Sequence, residues 1–285
     1  MNAIDPDTVG RFEEHEFPFF RNATIDTLRW GSKRHHIPLL LEVDVTQARD
    51  AIRALKTKTG EGVSFTGWII KCLGQAVSEH KHIHALRKGK RRLVVFEDVD
   101  VAIVVERAVS GGAADETLPM PYIIRKANQK TVADIHAEIR LAQTTPVAQG
   151  EVQIASPRAA WLTKVFMTLP GFIRDALFWG PLFGDPFRVK RMMGTVSVTA
   201  VGMMGHGGIS WGIPLGIHSL IVGVGGITPR PILVNGQVVP REYLGLTVMF
   251  DHDVTDGAPI ARFIGRLQEL MESGYGLVEA REGQP

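Results

Sequence analysis

Two hydrophobic periods alternate along the chain. Near the C-terminal end, Leu244, Leu246, Val248 and Phe250 take every second position, the period of a half-buried strand. Directly afterwards Ile260, Phe263, Ile264, Leu267, Leu270 and Met271 recur at helical spacing, and Gly274 offers a stop. Read from the start, the same two periods predict a helix over 20–34, a strand over 38–46, helices over 46–58 and 64–79, strands over 93–105 and 119–125, and a helix over 131–143. After an aromatic-rich insert come strands near 194–202, 218–226, 232–239 and 243–250, and then the final helix. Val234-Asn235-Gly236-Gln237-Val238 is a hairpin signal, because Asn-Gly supplies the positive φ angles of a type I′ turn. Helices and a mixed β-sheet in one unit predict an α/β two-layer sandwich. No break in composition divides the chain, so residues 1–285 are expected to form a single domain, with its core over about 20–275.

Composition narrows the function classes. Hydrophobic residues make up 45% and charged residues 22%, as in an ordinary globular enzyme. The formal net charge of +2 argues against nucleic acid as a partner. One cysteine, Cys72, rules out an intrachain disulfide and fits a reducing compartment; its apolar helical setting marks it as core. The N-terminus reads polar and acidic, without a signal peptide, so a cytoplasmic location is expected. Residues 192–229 carry no charge, but glycines, Pro214 and β-branched clusters break the run into strands and turns, which predicts buried sheet and no transmembrane span.

The chemistry is concentrated where the last strand gives way to the last helix, at Asp251-His252-Asp253-Val254-Thr255-Asp256-Gly257. An imidazole and a carboxylate four residues apart sit in a rigid corner with their tips accessible. Two structural readings compete with a catalytic one: Asp256 suits the N-cap of the helix, with Pro259 tolerated in its first turn, and His252 fits a satisfied structural role. Asp251, His252, Asp253 and Asp256 are also metal-ligand types, but no second His/Cys cluster accompanies them, so no metal is expected. The basic runs Arg87-Lys88-Gly89-Lys90-Arg91-Arg92 and Lys33-Arg34-His35-His36 read as solvated turns, and His80, His82 and His84 as surface residues.

The His-x-x-x-Asp-Gly stretch after a hydrophobic strand resembles the signature of the catalytic domain of 2-oxoacid dehydrogenase acyltransferases, relatives of chloramphenicol acetyltransferase. Further segments resemble that family in the same order: Ile37-Pro38 with Leu41 to Thr46, Val63 to Ala85, Pro119 to Lys130, Gly194 to Gly202, and Ile221 to Gly225. The resemblance covers about residues 20–275 with a gap around 145–190. It implies the fold of CoA-dependent, chloramphenicol acetyltransferase-like acyltransferases, and transfer of an acyl group between coenzyme A and a thiol or other nucleophile. It assigns His252 as general base and Thr199 as oxyanion donor, the latter by aligning Gly202 with the glycine that follows the family's hydroxyl. It makes Asp256 an orienting residue held by hydrogen bonds, with Gly257 allowing the tight path after it. Taken without the resemblance, Thr199 reads as a β-branched strand residue.

The resemblance also implies a homotrimer in which the histidine and the hydroxyl come from different subunits, with acyl-CoA or coenzyme A as co-substrate. The polar tail Glu279 to Pro285 predicts assembly that stops at three. No lipoyl domain, covalent lipoyl group or subunit-binding domain is expected, so a lipoyl-bearing substrate would come in trans. Two departures stand out: Asp253 follows the histidine where Arg is common, and Ala200 follows Thr199 where a polar residue is usual. They keep a non-catalytic scaffold or regulatory homologue open, and the expected lack of a lipoyl domain keeps open an acyltransferase for a small diffusible acceptor. The insert over about 145–193, with Trp161, Phe166, Phe172, Phe178, Trp179, Phe183 and Phe187, reads as a satellite core or subunit contact, a lid over an acyl chain, or an interfacial lipid contact.

Overall fold

The computed structural model describes residues 10–18, 21–60, 62–110, 117–145, 147–148, 165–200 and 211–277. In chain order these give α1 (Arg21–Gly31), β1 (His36–Asp44), α2 (Thr46–Thr59), α3 (Phe65–Glu79), a small hairpin of β2 (Leu86–Lys88) and β3 (Arg92–Val94), β4 (Val101–Ser110) and β5 (Thr117–Ile124). They continue with α4 (Val132–Thr144), the short β6 (Val147–Ala148), a run of short helical turns from Gly171 to Gly184, α5 (Pro186–Met193), β7 (Val196–Ala200), β8 (Leu220–Val234), β9 (Gln237–Asp251) and α6 (Gly257–Glu272).

Local chemistry sets several of these boundaries. Gly60 in the left-handed region ends α2. The Ser64 hydroxyl accepts from Gly67 N to open α3, and a reciprocal Thr131–Asp134 capping box opens α4. Asn235 and Gly236 both have positive φ, the type I′ turn anticipated from their sequence. That turn sits between β8 and β9, so the strand expected over 232–239 is instead the facing ends of two long strands. The strand expected over 93–105 is likewise two pieces. Between β3 and β4 the backbone bonds to a loop: Val99 N donates to Asn128 Oδ1 and Val99 O accepts from Ala127 N.

The main sheet has the order β1-β9-β8-β7-β4-β5, with β6 beside β4. The β8–β7 and β7–β4 pairs are parallel, and the β1–β9, β9–β8 and β4–β5 pairs antiparallel. One face carries Val101, Ile103, Val196, Val198, Val222, Leu246 and Val248 into the principal core. Trp68, Ile69 and Leu73 of α3, Ile135 of α4, and Phe263 and Leu267 of α6 pack against them. Burying a side chain of this size stabilises by roughly 2–3 kcal/mol. Cys72 lies in this core, where burial raises the pKa of its thiol.

Alternation sends Ser197, Thr199, Gly223 and Thr247 to the opposite face, away from those helices. Residues 211–217 cross part of that face. Trp211 Nε1 donates to Leu41 O at 2.9 Å, and a Cβ at position 223 would stand 3.0 Å from the Gly212 carbonyl oxygen, which is why glycine is needed there. Elsewhere the face is open and apolar, with Leu40 52% and Val104 60% exposed.

The described part of the insert builds a second, smaller core. Trp179, Leu182 and Val189 are buried with Leu86, and Trp30, Phe96, Phe178 and Phe183 pack around them. Arg174 fixes this unit to α1 by a buried bidentate pair with Asp26, at 2.6 and 2.8 Å, and Trp179 Nε1 adds a third bond to the same carboxylate. This arrangement matches the satellite-core reading of the insert. No helix among the described residues is long and apolar enough to cross a membrane.

Candidate active site

Residues 244–251 of β9 are buried on both faces, so the strand reaches the corner as a rigid rod. Asp251 closes its pairing opposite His36, and the chain then turns through His252 to Val254, with Val254 N and Thr255 N donating to Asp251 O. Asp256 occupies the N-cap position of α6, but its carboxylate accepts no bond from the helix amides, so the capping bond anticipated for it is not formed. The side chain is 86% exposed, and Asp256 Oδ1 lies 3.9 Å from His252 Nδ1, close enough for charge interaction and too far for a hydrogen bond. Gly257 begins α6 outside the left-handed region, with open space where a Cβ would stand, so the tight path expected there is not observed.

His252 is 43% exposed and packs at a tilt against Phe250, with ring centroids 5.8 Å apart. Its backbone is clamped from the β1 side, where His252 N donates to His35 O at 3.0 Å. The flanking carboxylates are held by the residues just before β1. Arg34 Nη1 donates to Asp251 Oδ2 at 2.9 Å, and the His35 ring meets Asp253 Oδ1 at 2.9 Å. Arg87 Nη1 completes the set with a 3.1 Å bond to Asp253 Oδ2. The His35 hydrogen bond, aided by Arg87, lowers the pKa of Asp253 below the usual carboxylate range. The acidic residue beside the histidine is therefore neutralised by its own partners.

Three readings of basic residues are corrected by this geometry. Arg34, His35 and His36 are more than a solvated turn: although His35 is exposed, they brace the corner, and His36 Nε2 bonds His218 O at 2.8 Å. Arg87, though itself exposed, joins them through Asp253. His84 is buried, its ring bonded to Thr195 Oγ1 and Phe96 O, and burial lowers its pKa to about 4. The signal that could have revealed Arg34 and His35 is charge complementarity: two basic residues precede β1 just where antiparallel pairing brings the acidic end of β9.

Thr199 is half-buried on the face opposite the helices, in one row with Gly223, Thr247 and Leu40. His252 lies five residues beyond Thr247 along β9, roughly 16 Å at a strand rise of about 3.3 Å. Two strand spacings, about 10 Å, separate the pair sideways as well. Within one chain the imidazole and the Thr199 hydroxyl do not meet. Gly202 and the tail 279–285 lie outside the described residues. Beside the corner a cleft of about 380 Å³ opens between the end of α3 and the start of α6, with His82, Ile83, Val254, Asp256 and Arg262 in its walls. Among the described residues, no three His, Cys, Asp or Glu side chains converge as a metal site.

A family model described as 2-oxoacid dehydrogenases acyltransferase (catalytic domain) matches residues 11–153 and 190–278, leaving out most of the aromatic insert. The chain is similar to the lipoamide acyltransferase component of the branched-chain alpha-keto acid dehydrogenase complex of Bacillus subtilis, with 26% identity over 84% of this chain and 47% of that protein. It is 31% identical to the mitochondrial dihydrolipoyllysine-residue succinyltransferase component of the 2-oxoglutarate dehydrogenase complex of Saccharomyces cerevisiae, over 81% of this chain and 41% of that one. The chain thus spans about half the length of the curated relatives it matches. Among solved structures, a probable dihydrolipoamide acetyltransferase from Listeria monocytogenes superposes with a TM-score of 0.63 at 18% identity, covering 96% of this chain and 98% of the other. A dihydrolipoamide acetyltransferase from Azotobacter vinelandii, studied for a serine, a histidine and an asparagine in its catalytic mechanism, gives 0.63 at 20% identity over 98% of both chains.

Proposed function

Because the chain belongs to the 2-oxoacid dehydrogenase acyltransferase family, matching its catalytic domain, we propose that it transfers an acyl group between coenzyme A and a thiol acceptor at a seam between two copies of itself. In this reading His252 is the general base. With Asp256 near Nδ1, the Nε2 side is left to take the proton of the attacking thiol. The thiolate adds to the thioester carbonyl, and the Thr199 hydroxyl of the neighbouring copy donates to the oxyanion that forms. Collapse of the tetrahedral adduct expels the second thiolate, which recovers the proton from the imidazolium.

The observation that carries this reading is the offset between His252 and Thr199. The imidazole is exposed at one end of the sheet while the hydroxyl lies in a row five residues back, on the open apolar face with Val104 and Leu40. A second copy seated on that face would bring its own imidazole to this hydroxyl and cover the exposed side chains, and a closed three-fold ring repeats the contact so that each His252 meets a neighbour's Thr199. In the Azotobacter vinelandii enzyme the histidine and asparagine stand four positions apart, as His252 and Asp256 do here. The names of the bacterial and yeast relatives favour a dihydrolipoyl thiol as acceptor.

The test is acyl exchange between a panel of acyl-CoAs and dihydrolipoamide, followed by both thiol release and acceptor acylation. Wild-type protein is expected to turn over, and His252→Ala to lose about 10²- to 10⁴-fold in kcat without loss of fold. Absence of turnover with every donor would favour a scaffold role.

A further inference from the structure

The side chains that brace the His252 corner also wall a second pocket, which the reaction above does not use. It encloses about 230 Å³ between the β2–β3 turn and the end of the insert. Arg34 and Arg87 form its polar side, and Leu86, Phe183, Pro186 and Val189 its apolar side; no Asp or Glu lines it. Each arginine spends one Nη1 bond on a carboxylate beside His252. A guanidinium carries five donors in a planar fork, and no other hydrogen-bond acceptor for either one occurs among the described residues. The Arg34 side chain is only one-fifth exposed, with its guanidinium carbon 5.8 Å from the Phe183 ring centroid, so its remaining donors have little access to bulk water. Lys90, Arg91 and Arg92 on the adjoining turn are exposed and add to the positive field at the mouth. Phe183 and Pro186 belong to the stretch that the family model leaves unmatched, so this pocket is a feature of the chain's own insert.

We infer that this pocket binds a small carboxylic acid with an apolar body, its oxygens accepting from Arg34 and Arg87 and its body lying against Phe183, Pro186 and Val189. Planar carboxylates match the guanidinium fork. The volume lies below the usual range of drug-sized sites, about 300–1,000 Å³, which limits the ligand to a short branched or monocyclic acid. An inorganic phosphate satisfies the arginines but leaves the apolar wall without a partner.

Benzoate, isovalerate and inorganic phosphate, each titrated into the full chain, test the site by calorimetry and by tryptophan fluorescence, since Trp30 stacks on Phe183 with ring centroids 4.9 Å apart. Saturable binding of benzoate or isovalerate is expected, tighter than phosphate, and weakened at least about tenfold in Arg87→Gln at an unchanged melting temperature. If that variant fails to fold, Phe183→Leu replaces it with the same expected loss of affinity. Failure of both acids to saturate, phosphate binding as tightly as they do, or an unaltered affinity in the folded variant would overturn the inference.

Discussion

Arg34 donates to the fully buried carboxylate of Asp251 at 2.9 Å, joining the residue two before β1 to the residue just before His252. Few contacts bear more directly on the site, because this one fixes where the last strand stops and the turn begins. Removing one partner of a buried pair strands the other's charge, which typically costs about 3–5 kcal/mol. Arg34→Met is therefore expected to destabilise by about 3 kcal/mol in urea unfolding, toward the low end because the arginine is partly exposed. A change below about 0.5 kcal/mol, the size of an ordinary surface substitution, would show that the corner is held by other contacts.

Asp256 makes the opposite prediction. Replacing an N-cap aspartate by alanine ordinarily costs about 1 kcal/mol through the lost cap bond. Here the carboxylate makes no such bond and is turned toward His252, so Asp256→Ala should leave the denaturant midpoint nearly unchanged. It should instead lower kcat/KM, since the carboxylate 3.9 Å from His252 Nδ1 would attract the imidazolium that forms as the thiol gives up its proton. An unfolding midpoint that drops as for a normal cap, with kcat/KM unchanged, would contradict this role.

A third prediction concerns acid. His84 and His218 are both buried, and burial lowers the pKa of each to about 4, with their rings bonded to Thr195 and Phe96 O and to Met193 O respectively. In the unfolded chain both return to about 6.5. Between those limits the unfolded state binds more protons than the folded one, so stability is full above about pH 6.5 and falls as pH drops toward 4. Each histidine contributes roughly 3 kcal/mol to that loss. Urea melts at intervals across this window should show the decline, and His84→Gln should flatten about half of it. A stability that stays level from pH 7 to 4 would rule the account out.

The parts of this picture that were legible in the sequence share a physical reason. Asn235-Gly236 announces the β8–β9 hairpin because few other dipeptides take two positive φ angles at low cost. The apolar alternation of β9 and the helical spacing of α6 locate the corner that carries His252, because each period marks a face turned to the core; burial of residues 244–251 on both faces does not show in that alternation. What stayed hidden depends on pairing between distant segments. Arg34, His35 and Arg87 look like solvated charge until β1 is laid antiparallel to β9, which local periodicity does not reveal. The break between β3 and β4 escaped for the same reason: the backbone partners of Val99 sit at Ala127 and Asn128. His84 read as surface because its hydrogen-bond partners come from residues 96 and 195.

Thr199 carries the remaining catalytic prediction. Its hydroxyl makes no hydrogen bond among the described residues, so Thr199→Val removes a donor at constant volume and should leave the unfolding midpoint close to wild type. Loss of one oxyanion donor typically costs about 10²- to 10³-fold in kcat. That loss should appear in kcat with little change in KM for the acyl donor. A variant with wild-type kcat would remove Thr199 from the reaction.

Subunit mixing addresses the seam itself. His252→Ala and Thr199→Val proteins, each inactive alone, are unfolded, combined in equal amounts and refolded, with refolded wild type as the control. If each site takes its imidazole from one copy and its hydroxyl from the next, random reassembly restores about a quarter of the sites, and activity should return to about that fraction. A mixture that stays as inactive as its components, while the control recovers, would mean that no site is shared between subunits.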